Sequence, residues 1–301
     1  MTQIVPFDAE RHLDWIALTD AMAAGHDRPR ARIEDVFLYR DTDTLLNRSA
    51  WIEGLGLAVK CATVFPGNPA AGRPMVNGAV NLFSDETGML EALLDFHLVT
   101  KWKTAGDSLL AARRLARPDS RTILIVGAGT VGRSLRAAYG AAFPNASFVV
   151  WNRSPNAADR FAADHQDTTV ARDLATAVQA ADIVTCATMS TAPIIEGAWL
   201  RPGQHIDLIG AYRPDMREAD DAALGRATLF VDSRDTTLHH IGELKIPLET
   251  GAITEADVRA DYYDGPFART SDDEITLFKN GGGAHLDLMT ARYILDAVGA
   301  P

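Results

Sequence analysis

The chain has 301 residues, a formal net charge of −11 and two cysteines. That length accommodates two domains with a large buried core, and the acidic balance without any basic stripe argues against a nucleic-acid partner. No apolar stretch approaches the length of a membrane span, and residues 1–10 lack the charged start and apolar centre of a signal peptide, so the expected compartment is the cytoplasm.

Up to residue 116 the pattern is mixed. Residues 35–39, 44–48, 57–63 and 78–83 predict strands joined by turns such as Pro66-Gly67-Asn68-Pro69, and residues 109–116 read as the tail of a helix closed by Arg117-Pro118-Asp119, a hinge into a second domain. Residues 123–126 then form a buried-strand run that passes directly into Gly127-Ala128-Gly129-Thr130-Val131-Gly132 and a helix-compatible stretch, 131–142. In this arrangement the first glycine permits a tight turn, the second lets backbone approach a pyrophosphate, and the third lets helix pack on strand. A diphosphate would sit on the helix N-terminus, where unpaired N–H groups and the helix dipole favour an anion. A second strand, 147–151, arrives at the spacing of a dinucleotide-binding unit. Further strand-like runs at 168–171, 182–187, 205–209 and 228–231 alternate with alanine-rich helical segments, the pattern of a parallel sheet with helices on both faces. A final helix, 284–298, comes after Asn280-Gly281-Gly282-Gly283 and is expected to return to the first domain.

The end of the second strand selects the cofactor. NAD enzymes usually carry a carboxylate there for the ribose 2′-hydroxyl; this chain has Asn152, Arg153 and Ser154. The guanidinium can pair with a 2′-phosphate and the hydroxyl can add a hydrogen bond, so NADP(H) is favoured, with NAD(H) as the alternative. Thr188, ending Thr185-Cys186-Ala187-Thr188, stands at a strand C-terminus on the expected nicotinamide side. Cys61 and Cys186 lack metal-ligand spacing and the eight histidines form no HExxH pattern, so no metal is expected.

Five blocks in order, Leu57-Ala58-Val59-Lys60 through Phe65-Pro66-Gly67-Asn68, residues 78–88, residues 100–105, the glycine loop and Leu277-Phe278-Lys279-Asn280-Gly281, resemble the ornithine cyclodeaminase/mu-crystallin family. The resemblance implies an α/β fold in which a Rossmann-type doubly wound parallel sheet, residues 117–283, is inserted into a mixed α/β substrate-binding and dimerisation domain, residues 1–116 completed by 284–301. It also implies a homodimer, chemistry in the cleft between the domains, and a small imino or amino acid as substrate.

Such a substrate brings a carboxylate that fixed cations must meet. The resemblance places Arg30, Lys60 and Lys103 in that role. Arg32 is the alternative to Arg30, and Lys103 stands where most relatives have arginine, which removes a bidentate fork. Lys60 lies in an apolar strand, where an unpaired ammonium is expensive. Lys60 is also a candidate proton source, and His285, at the start of the last helix, a candidate acid or hydrogen-bond donor. Cyclodeaminases of the family carry an aspartate after the glycine that ends a nucleotide-domain strand; here Tyr212 occupies that place, and a phenol does not ionise at neutral pH. The neighbouring Arg213-Pro214-Asp215 and Glu218 resemble the ketimine (Δ1-pyrroline-2-carboxylate) reductase branch, with Asp215 read as a turn residue. The expected reaction is NAD(P)H-dependent reduction of a cyclic α-imino acid. Ornithine cyclodeamination, amino-acid dehydrogenation, reduction of an acyclic imine such as iminosuccinate, and cofactor-dependent ligand binding without catalysis are the alternatives.

Overall fold

The computed structural model describes residues 2–299. The chain divides into two compact units, Met1–Lys103 with Gly283–Pro301, and Thr104–Gly282.

The first unit contains β1 (Gln3–Val5), α1 (Trp15–His26), β2 (Arg32–Arg40), β3 (Asp43–Ile52), β4 (Gly56–Val64), β5 (Val76–Phe83), β6 (Leu90–Asp95) and the start of α2 (Phe96–Leu115). Its six strands form one sheet in the order β1-β6-β5-β4-β3-β2. The run from β2 to β6 is antiparallel throughout, and β1 joins β6 in parallel. Alternate residues of β4, among them Ala58, Lys60 and Ala62, are buried, so one face of the sheet carries the core. The C-terminal helix, Ala284–Gly299, packs on β3, β4 and α1. Helix α1 starts where the Asp14 carboxylate accepts the Ala17 N–H, and α2 where Asp95 accepts that of Leu98.

The second unit contains β7 (Thr122–Val126), α3 (Thr130–Ala142), β8 (Ser147–Trp151), α4 (Pro155–Asp164), β9 (Thr168–Val170), α5 (Leu174–Ala180), β10 (Ile183–Cys186), β11 (His205–Leu208), α6 (Asp221–Arg226), β12 (Thr228–Val231), α7 (Arg234–Thr237), α8 (Gly242–Thr250), β13 (Val258–Ala260) and β14 (Thr276–Lys279). All eight strands are parallel, in the order β13-β12-β14-β11-β10-β7-β8-β9. From β7 the chain builds outward through β8 and β9, then returns to place β10 on the other side of β7. In a doubly wound sheet such a reversal leaves a crevice at the C-terminal ends of the strands on either side of it, here β7 and β10. Leu124, Val126, Val184, Cys186, Ile206, Leu208, Val231 and Leu277 form the core of this unit.

Besides elements the sequence reading did not name, β1, α1, β6 and β13 among them, two features depart from it. The domain boundary was expected after residue 116; the units instead part at 103/104, inside α2, and at 282/283. The second half of α2 is tied into the second unit: Ser108 Oγ donates to Asp207 Oδ1 at 2.9 Å, and Tyr262 Oη donates to the Asp107 carbonyl at 3.0 Å. Arg117-Pro118-Asp119 is therefore a turn within that unit rather than a hinge. The other departure is β14, which inserts between β11 and β12.

Candidate active site

At the end of β7 the backbone turns at Gly127 with φ 114°, where a side chain would be strained, and a Cβ there would stand 2.6 Å from the Ala187 carbonyl oxygen. Gly132 lies in the first turn of α3, where a Cβ would come within 2.0 Å of the Gly127 carbonyl oxygen. At Gly129, by contrast, nothing lies within 4 Å of the position a Cβ would take. Backbone is thus packed tightly below the turn and open above it, the geometry a diphosphate needs. Gly129 caps α3 without any side chain covering the first-turn N–H groups, Thr130 is exposed and Val131 half-buried. Ala128 N–H donates to Asn152 Oδ1 at 3.1 Å and Asn152 Nδ2 donates to the Ser154 carbonyl at 3.2 Å, which ties the glycine turn to the end of β8. Arg153 and Ser154 are exposed there, and the Ser154 hydroxyl does not cap α4, which begins at Pro155.

Beyond β10, Thr188 gives both its N–H and its hydroxyl to Glu218 Oε1, at 2.7 and 2.8 Å. The other oxygen of Glu218 accepts the Gly210 N–H at 2.6 Å, so one carboxylate joins the loops that extend from β10 and β11. The backbone N–H groups of Glu218 and Ala219 in turn donate to the buried Glu243 carboxylate at 2.7 and 3.0 Å. Burial, then the charge of Glu218, pushes the Glu243 pKa up to about 7. Lys279, fully buried at the end of β14, donates to the carbonyls of Leu208, Ala211 and Asn280 at 2.9, 2.8 and 2.8 Å. Tyr212, next along, is 56% exposed with the Arg213 guanidinium 5.7 Å from its ring. Asp215 pairs with Arg213 at 2.9 Å in the same exposed turn.

In the first unit, strand register places Asp35, Arg48 and Lys60 in one row across β2, β3 and β4, with all three side chains on the same face. Arg48 donates to Asp35 at 2.8 Å. Lys60 Nζ lies 2.9 Å from Asp287 Oδ1 of the C-terminal helix and 4.8 Å from the centre of the Phe96 ring. Burial lowers the Lys60 pKa to about 8; Asp287 opposes that shift, while Lys103 and Arg48 add to it. Lys103 is likewise only 7% exposed, and no described residue forms an ion pair with it. Trp102, beside it on α2, stacks on Trp15 at 3.8 Å and donates to Glu10 Oε1 at 2.9 Å, which anchors that turn of the helix. His285 is buried and meets His26 edge-on at 5.5 Å. Its pKa is driven well below the ordinary value, first by burial and then by His26, Lys103, Arg48 and Arg30. Burial thus favours the neutral imidazole, which can donate a hydrogen bond. Arg30, exposed, contributes to the same positive field.

A family model described as the ornithine cyclodeaminase/mu-crystallin family matches residues 50–300. The chain belongs to that family. A Δ1-pyrroline-2-carboxylate reductase of Paracoccus denitrificans is 54% identical over 296 residues, covering 95% of this chain and 94% of the relative. The structure of Thermococcus litoralis Δ1-pyrroline-2-carboxylate reductase in complex with NADH and L-proline matches with a TM-score of 0.88 at 25% identity, over 99% of this chain and 97% of that one. An archaeal alanine dehydrogenase dimer with bound NAD matches with a TM-score of 0.89 at 25% identity, over 99% and 96%.

Arg30, Lys60, Lys103 and His285 thus fall in the first unit and share one electrostatic neighbourhood, while Gly127 to Gly132, Asn152, Arg153, Ser154, Thr188 and Tyr212 fall in the second. Sequence reasoning missed Asp287, Arg48, His26 and the anchoring parts of Glu218 and Glu243. For Asp287 a signal existed: an ammonium on an apolar strand demands an anion, and Asp287 stands between leucines in an apolar helix. Among the described residues no cluster of three or more potential metal ligands occurs, and no helix is long and apolar enough to cross a membrane.

Proposed function

We propose that this chain reduces a cyclic α-imino acid, Δ1-pyrroline-2-carboxylate or Δ1-piperideine-2-carboxylate, to the L-amino acid. The observation that carries the reading is the charge balance around Lys60. Asp287 and Asp35 offset Lys60 and Arg48, whereas Lys103 is buried without a protein anion and Arg30 adds further positive field. One substrate carboxylate supplies the missing charge. Lys60, Lys103 and Arg30 hold it, and neutral His285 offers a hydrogen bond.

Gly127, Ala128, Gly129, Thr130, Val131 and Gly132 hold the diphosphate of a nicotinamide dinucleotide, and Thr188 lines its nicotinamide side. When bound, the reduced nicotinamide supplies the hydride. Arg153, the Ser154 hydroxyl left free of helix capping and the N-terminus of α4 form a receptor for a 2′-phosphate, which favours NADPH over NADH. Tyr212, exposed and beside a cation, serves no proton relay of the kind an aspartate offers a charged amine, which disfavours cyclodeamination. The partner is a second copy of the chain: edge strand β2 exposes Val36, Phe37, Leu38 and Tyr39, a surface that soluble proteins cover, and the related alanine dehydrogenase is a dimer. The cytoplasm remains the proposed location.

The deciding experiment compares three assays on the purified protein. Loss of NADPH or NADH absorbance with either cyclic imino acid is expected, with little ammonia released from ornithine in the presence of NAD. Robust ammonia release overturns the reductase reading, and ligand binding without turnover overturns the enzyme.

A further inference from the structure

The geometry points to Asp287 as a positioning residue that holds a proton on Lys60 beside the cations Arg48 and Lys103, from which Lys60 passes it to the substrate nitrogen. This rests on the proposed imino-acid reductase activity. Reduction of a neutral imine requires a proton as well as a hydride. As the hydride bonds to the imine carbon, the C=N π pair becomes an N–H bond to the proton that Lys60 gives up. Lys60 is left as a neutral amine and regains its proton from water.

Three observations support the assignment. Lys60 is held on the buried face of β4, between the buried small residues Ala58 and Ala62. The groups that face it from the packed elements are mostly cationic: Arg48 from β3 and Lys103 from α2, with Phe96 offering only a ring face. Around the same neighbourhood stand His285 of the C-terminal helix, His26 of α1 and Arg30, and Asp35 of β2 is already bonded to Arg48. Asp287 is the anion that touches Lys60, at 2.9 Å. Only one of its oxygens is used in this way; Oδ2 is buried and accepts no hydrogen bond from the described residues. A buried acceptor without a donor is costly, and such a group calls for a functional explanation.

Burial brings the Lys60 pKa to about 8, and Asp287 keeps it from falling further. Without that anion, burial and the cations act unopposed, the pKa drops and the ammonium is lost at neutral pH.

The chain has five lysines, so protein grown on [ε-13C]lysine gives few enough signals for Lys60 to be assigned by its loss in Lys60→Met. Lys60 in the unsubstituted protein is expected to titrate near 8. In Asp287→Asn the midpoint should fall by about one unit or more, and Asp287→Glu, which keeps the charge, should restore most of it. The alkaline limb of kcat/KM for imine reduction should move with it in each variant. An unmoved Lys60 midpoint in Asp287→Asn overturns the proposal, as does a midpoint that moves while the alkaline limb stays. If Asp287→Asn does not fold, the parent titration decides: a midpoint at the ordinary lysine value of about 10.4 overturns the proposal. Failure to reduce any imino acid refutes the functional reading instead, and the titration, made without substrate, still decides the part of Asp287.

Discussion

Replacing Lys60 with methionine tests the buried pair through stability. Methionine keeps the length of the stem but removes the ammonium over the Phe96 ring and leaves the Asp287 carboxylate, 1% exposed, without its counter-charge. At 2.9 Å and an effective dielectric of about 20, the lost attraction is about 6 kcal/mol. Buried pairs broken on one side cost about 3–5 kcal/mol, the remainder being recovered by relaxation and protonation. The sign with pH is set by Asp287. In the intact protein burial raises its pKa, but Lys60, Lys103, Arg48 and the Lys60 hydrogen bond together hold it below the ordinary value. Without Lys60 burial prevails, the native state binds the proton more tightly than the unfolded chain, and stability is lost as pH rises through the new pKa. Urea unfolding at pH 7 should therefore show Lys60→Met less stable by about 3–5 kcal/mol, with the deficit smaller by about 1 kcal/mol or more at pH 5. Adding Asp287→Asn should recover most of the loss. A deficit below about 1 kcal/mol at pH 7, or one equal at both pH values, would refute the reasoning. The same variant should lower kcat/KM for imine reduction about 100-fold, equivalent to about 2.7 kcal/mol.

Arg153→Asp should reverse a preference for NADPH over NADH, as measured by fluorescence titration, because it removes a phosphate partner and adds like-charge repulsion; equal affinities in the parent would remove the NADP assignment. Gly132→Ala should weaken dinucleotide binding about tenfold or more in the same titration, since its Cβ meets the Gly127 carbonyl oxygen at 2.0 Å and α3 must shift; unchanged affinity would show that the turn tolerates the shift. Asp207 accepts hydrogen bonds from Ser108, Thr185 and Tyr139, and burial raises its pKa to about 6. A raised pKa gives stability that is full below the unfolded value of about 3.9 and lost as pH rises through the folded value, so Asp207→Asn should flatten the fall in unfolding free energy between about pH 4 and pH 7. An unaltered slope would mean that Asp207 titrates normally.

The parts of the molecule legible from sequence are those that local backbone chemistry dictates. Gly127 and Gly132 announce a turn and a close contact because no other residue fits, and the parallel sheet comes from alternating strands and helices. Lys60 stood out because it interrupts an apolar strand. Its partner did not, because Asp287 is 227 residues away and sits in the first turn of a helix, where an acidic residue is ordinary. Arg48 reads as an outward polar residue until strand register puts it opposite Lys60. Strand β14 was hidden for a different reason: its four residues end in lysine, and only the three carbonyls at Nζ explain how that charge can be buried.

The late position of β14 also orders events during synthesis. A ribosome that has delivered every other strand of the parallel sheet has still left β11 and β12 without the strand that lies between them. The first unit waits as well, since the helix that covers β3 and β4 and carries Asp287 begins at Ala284. Both units therefore close on the same short stretch of chain, and a nascent polypeptide halted before residue 276 presents two open sheets to chaperones and proteases.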